Sequence, residues 1–250
     1  MTRTRHTLWI LALLATTNLY AADFQQLSNG LEYKKLVVQI KGDEDKPSSP
    51  GYIHLFRLDP SILRLGIVTA KQFGLANIDA KTAAQRSNAV LFINGGFFTP
   101  EYASLGLLVQ NGRELNRLKW TSWWHVFQVK AGSPQIISKQ EFSLTPDVEM
   151  AIEAGPRALT NGNVPTGLKA AIAERSVVGI DKDGRIIIAA TEGLPISIAG
   201  LAAYLKAEGC VNALNLDGGS STQIYAKIKR FELNRGGFGM VANGIGVFGR

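Results

Sequence analysis

A chain of 250 residues, 46% of them hydrophobic, can bury a sizeable core and needs no disulfide or metal staple to hold a globular domain together. Its single cysteine, Cys210, excludes an internal disulfide framework even in an oxidising compartment. A formal net charge of +7 suits anionic ligands, yet no basic run is interleaved with aromatic residues, so the charge does not indicate nucleic acid.

The first residues have the form of an export signal. Arg3, Arg5 and His6 make a basic start, and Leu8 to Ala15 is an apolar run too short to span a bilayer. Ala21-Ala22 supplies the small residue for a cut after Ala22, although Tyr20 is bulky for its place. Residues 1–22 are therefore expected to be a signal peptide and 23–250 the mature domain, without a transmembrane segment once the signal is cleaved; the alternative is an uncleaved anchor. Export is expected to end in the periplasm rather than in full secretion, because no wall-binding or outer-surface signal is visible.

Along the mature chain, short β-branched runs alternate with glycine-bearing turns. Leu36 to Ile40, Tyr52 to Leu58, Leu63 to Thr69 and Ala89 to Ile93 read as strands, with the polar stretch Lys41 to Pro50 as a loop and Ile78 to Ser87 as a short helix. Gly106 to Leu115 reads as a hairpin turned at Asn111-Gly112, the first of two or three strands before Val129. A second hairpin joins Ser176–Asp181 to Arg185–Ala190. Ile198 to Glu208 is the clearest helix: Ile198, Leu201, Ala202 and Leu205 recur at helical spacing, Ser197 stands at the cap and Gly209 at the stop. Gly244 to Phe248 is the last strand. The expected fold class is α+β, a single mixed domain with extended, largely antiparallel β-sheet and a few helices.

Four segments carry the chemistry, each placing glycine beside a polar group at the end of an apolar run, where backbone can approach a ligand. In Asn94-Gly95-Gly96-Phe97-Phe98, Asn94 offers a donor and an acceptor beside exposed amides. Gly155-Pro156-Arg157 makes a bend that could aim Arg157 at an anion, and Glu174-Arg175-Ser176 leads a second arginine into a strand. In Asn215-Leu216-Asp217-Gly218-Gly219-Ser220-Ser221, an apolar strand delivers a lone carboxylate into a turn of glycines and hydroxyls. Regular alternation would place Asn215 and Asp217 on one face and Leu214 and Leu216 on the other. Each segment taken singly also fits an ordinary turn, loop arginine or capping aspartate. Glu192, between a strand and the Ile198 helix, is the candidate for a second carboxylate, equally suited to a solvated loop. His125, beside Trp123 and Trp124, fits a packed aromatic cluster better than a sugar-stacking surface. The sequence has no HExxH, no cysteine cluster and no calcium loop, and neither a P-loop nor a GxGxxG opening a helix, so neither a metal nor another cofactor is expected.

Taken in order, these four segments resemble the phosphodiester glycosidase family, which includes the lysosomal-pathway enzyme that uncovers mannose 6-phosphate. The resemblance spans roughly Gly51 to Phe248, and its most specific part is Asn215 to Ser221 preceded by the helix from Ile198. It implies a mixed α/β domain around extended sheet, and hydrolysis of the bond between an anomeric carbon and a phosphodiester oxygen. In that reading Asp217 is base or nucleophile, with Glu192 the second carboxylate, and Arg157 and Arg175 bind phosphate. Asn94, Gly95, Gly96, Ser176, Asn215, Gly218, Gly219, Ser220 and Ser221 surround the substrate. Ser176 stands where threonine is expected in many relatives, and the cysteine pairs and extra modules of the animal enzyme are missing. The expected partner is a carbohydrate or glycosyl phosphodiester substrate, with no nucleic acid and no protein partner. The alternative is a non-catalytic envelope protein binding glycans or glycosyl phosphate polymers in the same cleft.

Overall fold

Turn chemistry builds most of this fold. In the computed structural model, which describes residues 23–41 and 48–249, the chain opens on an antiparallel meander of β1 (Gln25–Ser28), β2 (Leu31–Ile40) and β3 (Ser49–Leu58). The expected signal peptide, and residues 42–47 of the expected loop, lie outside the described residues. Strands β2 and β3 run longer than their apolar patterns because each is zipped to the other along its length, from Leu31 opposite Leu58 to Ile40 opposite Ser49. After β4 (Leu63–Thr69), helix α1 (Ala80–Ser87) begins two residues later than its periodicity suggests. Asp79 is its cap, accepting from the Thr82 amide at 2.9 Å.

Next come β5 (Leu91–Asn94), β6 (Leu108–Gln110) and β7 (Arg113–Asn116). The β6–β7 hairpin turns where the sequence places it: Asn111 and Gly112 both hold positive φ, 50° and 67°, as a tight two-residue turn requires. β8 (His125–Lys130), β9 (Ser133–Ile137), β10 (Val148–Ala154) and the short β11 (Arg157–Leu159) precede the second expected hairpin, β12 (Ser176–Asp181) and β13 (Ile186–Glu192). Helix α2 (Ile198–Ala207) is capped by the Ser197 hydroxyl, which accepts from the Gly200 amide at 3.0 Å, and Gly209 beyond it is left-handed at φ 88°. The chain closes through β14 (Cys210–Asn215), β15 (Ile224–Ile228), β16 (Phe231–Arg235) and β17 (Asn243–Gly249).

The strands form three sheets, in the orders β1-β2-β3-β13-β12-β14-β11, β7-β6-β10-β8-β9 and β16-β15-β5-β17-β4. The antiparallel expectation holds, but the α+β class is corrected towards β: among the described residues, two α-helices accompany seventeen strands. The physical reason is that every neighbouring pair among these strands is antiparallel, whether its members are consecutive or distant in the chain, and antiparallel pairs need no helical crossover.

One face of the seven-stranded sheet presents Phe56, Ile188, Leu214 and Leu216 to a shared core with Leu65, Ile93 and Ile245 from the third sheet and Met150 and Ile152 of β10. Its other face buries Ile53, Val177 and Ala213 beneath Leu201, Ala202 and Leu205 of α2. Leu214 and Leu216 therefore face the central core, as alternation predicts, each stabilising the fold by about 1.5–3 kcal/mol on burial. Leu216 anchors the turn that follows it. Cys210 is buried on the helix side, and burial pushes its thiol up to about 12, a packing residue rather than a nucleophile.

Candidate active site

Three backbone bonds hold the turn after β14: the Leu216 amide donates to the Ser176 carbonyl (2.9 Å), Asp217 to Gly95 (2.9 Å) and Gly219 to Glu174 (2.8 Å). The two glycines answer different constraints. A Cβ on Gly218 would lie 2.8 Å from the Glu174 carbonyl, whereas Gly219 occupies left-handed backbone at φ 62°. The Asp217 carboxylate accepts from the Gly218 amide at 2.9 Å and from the Ser221 hydroxyl. Burial nevertheless dominates, raising its pKa above the ordinary carboxylate value against those two hydrogen bonds. A desolvated acid beside a cavity is the kind of group that functional sites use.

Beneath the turn sits Asn94, which is wholly buried. Its Nδ2 donates to the Asp217 carbonyl at 2.8 Å, while Oδ1 accepts from the Ser176 hydroxyl at 2.6 Å and the Gln223 amide at 3.1 Å. Gln223, also fully buried, accepts from the Ala80 amide at the start of α1 and donates to the Gly239 carbonyl. Asn94 and Ser176 thus hold the Asp217 turn from behind.

Gly95 and Gly96 are buried as well. A Cβ on Gly95 would collide with Asn243 Oδ1, and one on Gly96 would lie 2.8 Å from the Glu153 carbonyl. Their role is close sheet-to-sheet approach.

In front of Asp217 opens a cleft of about 630 Å³, the size of a small-molecule site. Phe97, Trp123, Pro156, Leu168 and Ile198 supply its apolar walls; Asp217, Asn215, Arg175 and Lys169 are its larger polar groups, and Gly218 and Gly219 line it too. Phe97 is braced edge-on by Trp123 (5.9 Å) and stacked on Trp124 (5.0 Å). Asn215 is buried, its Nδ2 donating to the Gly155 (3.3 Å) and Leu216 (2.6 Å) carbonyls while Oδ1 has no protein partner. Arg175 Nε donates to the Ile196 carbonyl at 3.0 Å and Nη2 to Ala171 at 2.5 Å. Burial lowers the pKa of this guanidinium.

The remaining sequence-derived candidates lie elsewhere. Arg157 is absent from the cleft lining; its Nη2 donates to the Ile136 carbonyl on β9. Glu192 is absent too. It is the last residue of β13, and its carboxylate accepts from His54 Nε2 at 2.8 Å, while Tyr33 donates to His54 Nδ1 at 2.8 Å. Burial and the Glu192 charge push the Tyr33 hydroxyl up to about 12, and burial lowers the His54 pKa. Ser220 is exposed outside the cleft, its carbonyl accepting from the Gly239 amide. His125 is held opposite Ala154, with burial and the Arg157 charge lowering its pKa.

Sequence reasoning missed Lys169, Gln223 and the ion pair of Glu174 with Arg235, which lies behind the turn. Gln223 had a readable signal, a long amide just before an apolar strand, but Lys169 in a polar loop had none. Among the described residues no group of three or more His, Cys, Asp or Glu could hold a metal ion, and no helix is long and apolar enough to cross a membrane.

Comparisons with known proteins bear on the fold and the family. An uncharacterized protein of Escherichia coli (strain K12), YigE, is 26% identical over 164 residues, which make up 61% of this chain and 62% of that protein. The chain therefore spans less than two thirds of that relative's length. The fold is similar to the catalytic domain of zebrafish N-acetylglucosamine-1-phosphodiester alpha-N-acetylglucosaminidase, auto-inhibited by its pro-peptide, with a TM-score of 0.69 at 16% identity over 92% of this chain and 87% of that one. A hypothetical protein from Synechocystis matches with a TM-score of 0.62 at 18% identity, over 92% of this chain and 64% of that one. The family model described as phosphodiester glycosidase matches residues 87–248, a span that takes in Asn94, Arg175 and the whole Asp217 turn, and the chain belongs to that family.

Proposed function

We propose that this protein is an exported hydrolase that cleaves the bond between the anomeric carbon of a sugar and a phosphodiester oxygen. Family membership supports the reaction class, and the basic, apolar N-terminal run supports export, with the periplasm as destination. The observation that carries the reading is the pairing, in one cleft, of a carboxylate raised by burial, Asp217, with the guanidinium of Arg175.

In this reading Arg175 binds the phosphodiester. Its Nε and Nη2 are anchored to carbonyls, which leaves Nη1 to meet a phosphate oxygen without further ordering of the side chain. The glycine amides are already committed within the chain. Gly218 donates to Asp217 and Gly219 to Glu174, so they shape the turn rather than bind the anion. Phe97 and Trp123 offer an apolar platform for the sugar ring. Asp217 takes a proton from water as the water oxygen bonds to the anomeric carbon and the bond from that carbon to the phosphodiester oxygen breaks, releasing free sugar and a phosphomonoester. A phosphate leaving group is already a weak base, so the reaction needs no strong general acid. This suits a cleft in which Asp217 is the one carboxylate among the lining residues described.

The test is release of free sugar from a panel of sugar-1-phosphodiesters by the parent and by Asp217→Asn. Turnover by the parent alone supports the assignment. Equal turnover by both removes Asp217 from the chemistry, and no turnover by either while ligand still binds favours a binding protein.

A further inference from the structure

Away from the Asp217 cleft, and sharing no lining residue with it, two hollows of about 660 Å³ and 350 Å³ adjoin where β4 meets the β6–β7 hairpin. Both are lined by Ile67, Gln72 and Gln110. Gln110 forms a fixed common floor: its Oε1 accepts from the Ile67 amide at 2.6 Å and its Nε2 donates to Asn111 Oδ1 at 3.0 Å. The walls carry Lys71 and Arg113 in the larger hollow and Arg64 and Arg86 in the smaller, and neither lining contains an aspartate or glutamate. Among the described residues none of these four cations is in an ion pair. Four like charges gathered in a concavity repel one another and focus a positive potential that an anion relieves.

We propose that this trough binds a polyanionic glycan chain. The charge calls for phosphate or carboxylate groups on the ligand, and the neutral lining groups, Thr69, Gln72, Ser104 and Asn116, match sugar hydroxyls as donors and acceptors. Nucleic acid fits less well because each of the three aromatic rings lining the trough already has a partner against one face, which leaves no open stacking platform of successive rings for bases. Arg64 covers the Phe248 ring at 4.6 Å, Arg86 lies over Phe73 at 6.0 Å, and Tyr102 is stacked on Phe98 at 5.4 Å. The inference rests on the trough alone and survives if the proposed hydrolysis fails.

Fluorescence anisotropy on the full-length protein tests it, with labelled phosphorylated dextran, alginate, neutral dextran and a single-stranded oligonucleotide as probes. Binding of phosphorylated dextran or alginate but not of neutral dextran is expected, the stronger of the two identifying the anionic group. Replacing Arg64, Lys71, Arg86 and Arg113 together with alanine should weaken binding at least about tenfold and flatten its salt dependence. Arg175→Ala, in the other cleft, should leave this affinity unchanged. If the fourfold variant does not fold by circular dichroism, the exposed pair Lys71→Ala and Arg113→Ala replaces it, with a smaller loss expected. The proposal is overturned if the folded variant binds like the parent, if Arg175→Ala abolishes binding, or if the oligonucleotide binds as tightly as the glycans.

Discussion

Asn94 Nδ2 donates to the backbone carbonyl of Asp217 at 2.8 Å, across 123 residues of sequence. Because Asn94 also accepts from Ser176 and Gln223, Asn94→Ala would strand two buried groups and the part-buried Asp217 carbonyl. At about 1–3 kcal/mol per unsatisfied group, and with partial relaxation, a loss of about 3 kcal/mol is expected, or about 6–12 °C in Tm. Thermal melts should show this drop, and kcat should fall with KM little changed, since the side chain is buried behind the turn. A change in KM alone would place Asn94 on the substrate instead.

The raised pKa of Asp217 has two opposite consequences. As a base it must be ionised, so kcat/KM should fall as pH drops through a value above the ordinary carboxylate range. Ser221→Ala removes a hydrogen bond that favours the ionised form, so it should move that acid limb to higher pH. For stability the sign reverses: the folded state holds the proton more tightly than the unfolded one. Stability is therefore fully present below the unfolded pKa and is lost as pH rises through the folded pKa. Asp217→Asn, at neutral pH, should melt no lower than the parent while losing turnover. A lower Tm for that variant would contradict the burial of the charge.

The two arginines should separate cleanly. Arg175→Ala removes a charge-assisted bond of about 1.5–3 kcal/mol and is expected to lower kcat/KM about 10- to 100-fold on a sugar-1-phosphodiester. Arg157→Ala should change it by less than about threefold and act mainly on stability, because its guanidinium serves the Ile136 carbonyl. Comparable kinetic losses in both would return Arg157 to the phosphate site.

Gly218→Ala places a Cβ 2.8 Å from the Glu174 carbonyl, displacing the Asp217 turn as a unit. A loss of at least about tenfold in kcat/KM is expected, since small misplacements of reacting groups are costly. Gly74→Ala is the control. That glycine is left-handed, at φ 73°, but has open space around it, so the change should cost about 1 kcal/mol of stability and no activity.

Glu192→Gln should leave sugar release within about threefold of the parent, because its carboxylate serves His54 rather than the cleft. A larger loss in steady-state assays would restore Glu192 as a second carboxylate.

Local chemistry was legible in the sequence. The Asn111-Gly112 turn, the Ser197 cap with Gly209 beyond α2, and the inward facing of Leu214 and Leu216 all rest on signals within a few residues. So did the family resemblance, which depends on the order of short motifs. The class came out more β-rich than expected because strand lengths are set by pairing partners, as in β2 against β3. Side-chain destinations were beyond local reading. Nothing near Arg157 or Arg175 tells which lines the cleft, and nothing near Asn94 tells that it is buried against residues 82, 123 and 129 positions away. A motif limits which groups arrive at a strand end, but only the packing of three sheets decides whether each group meets a ligand or another part of the chain.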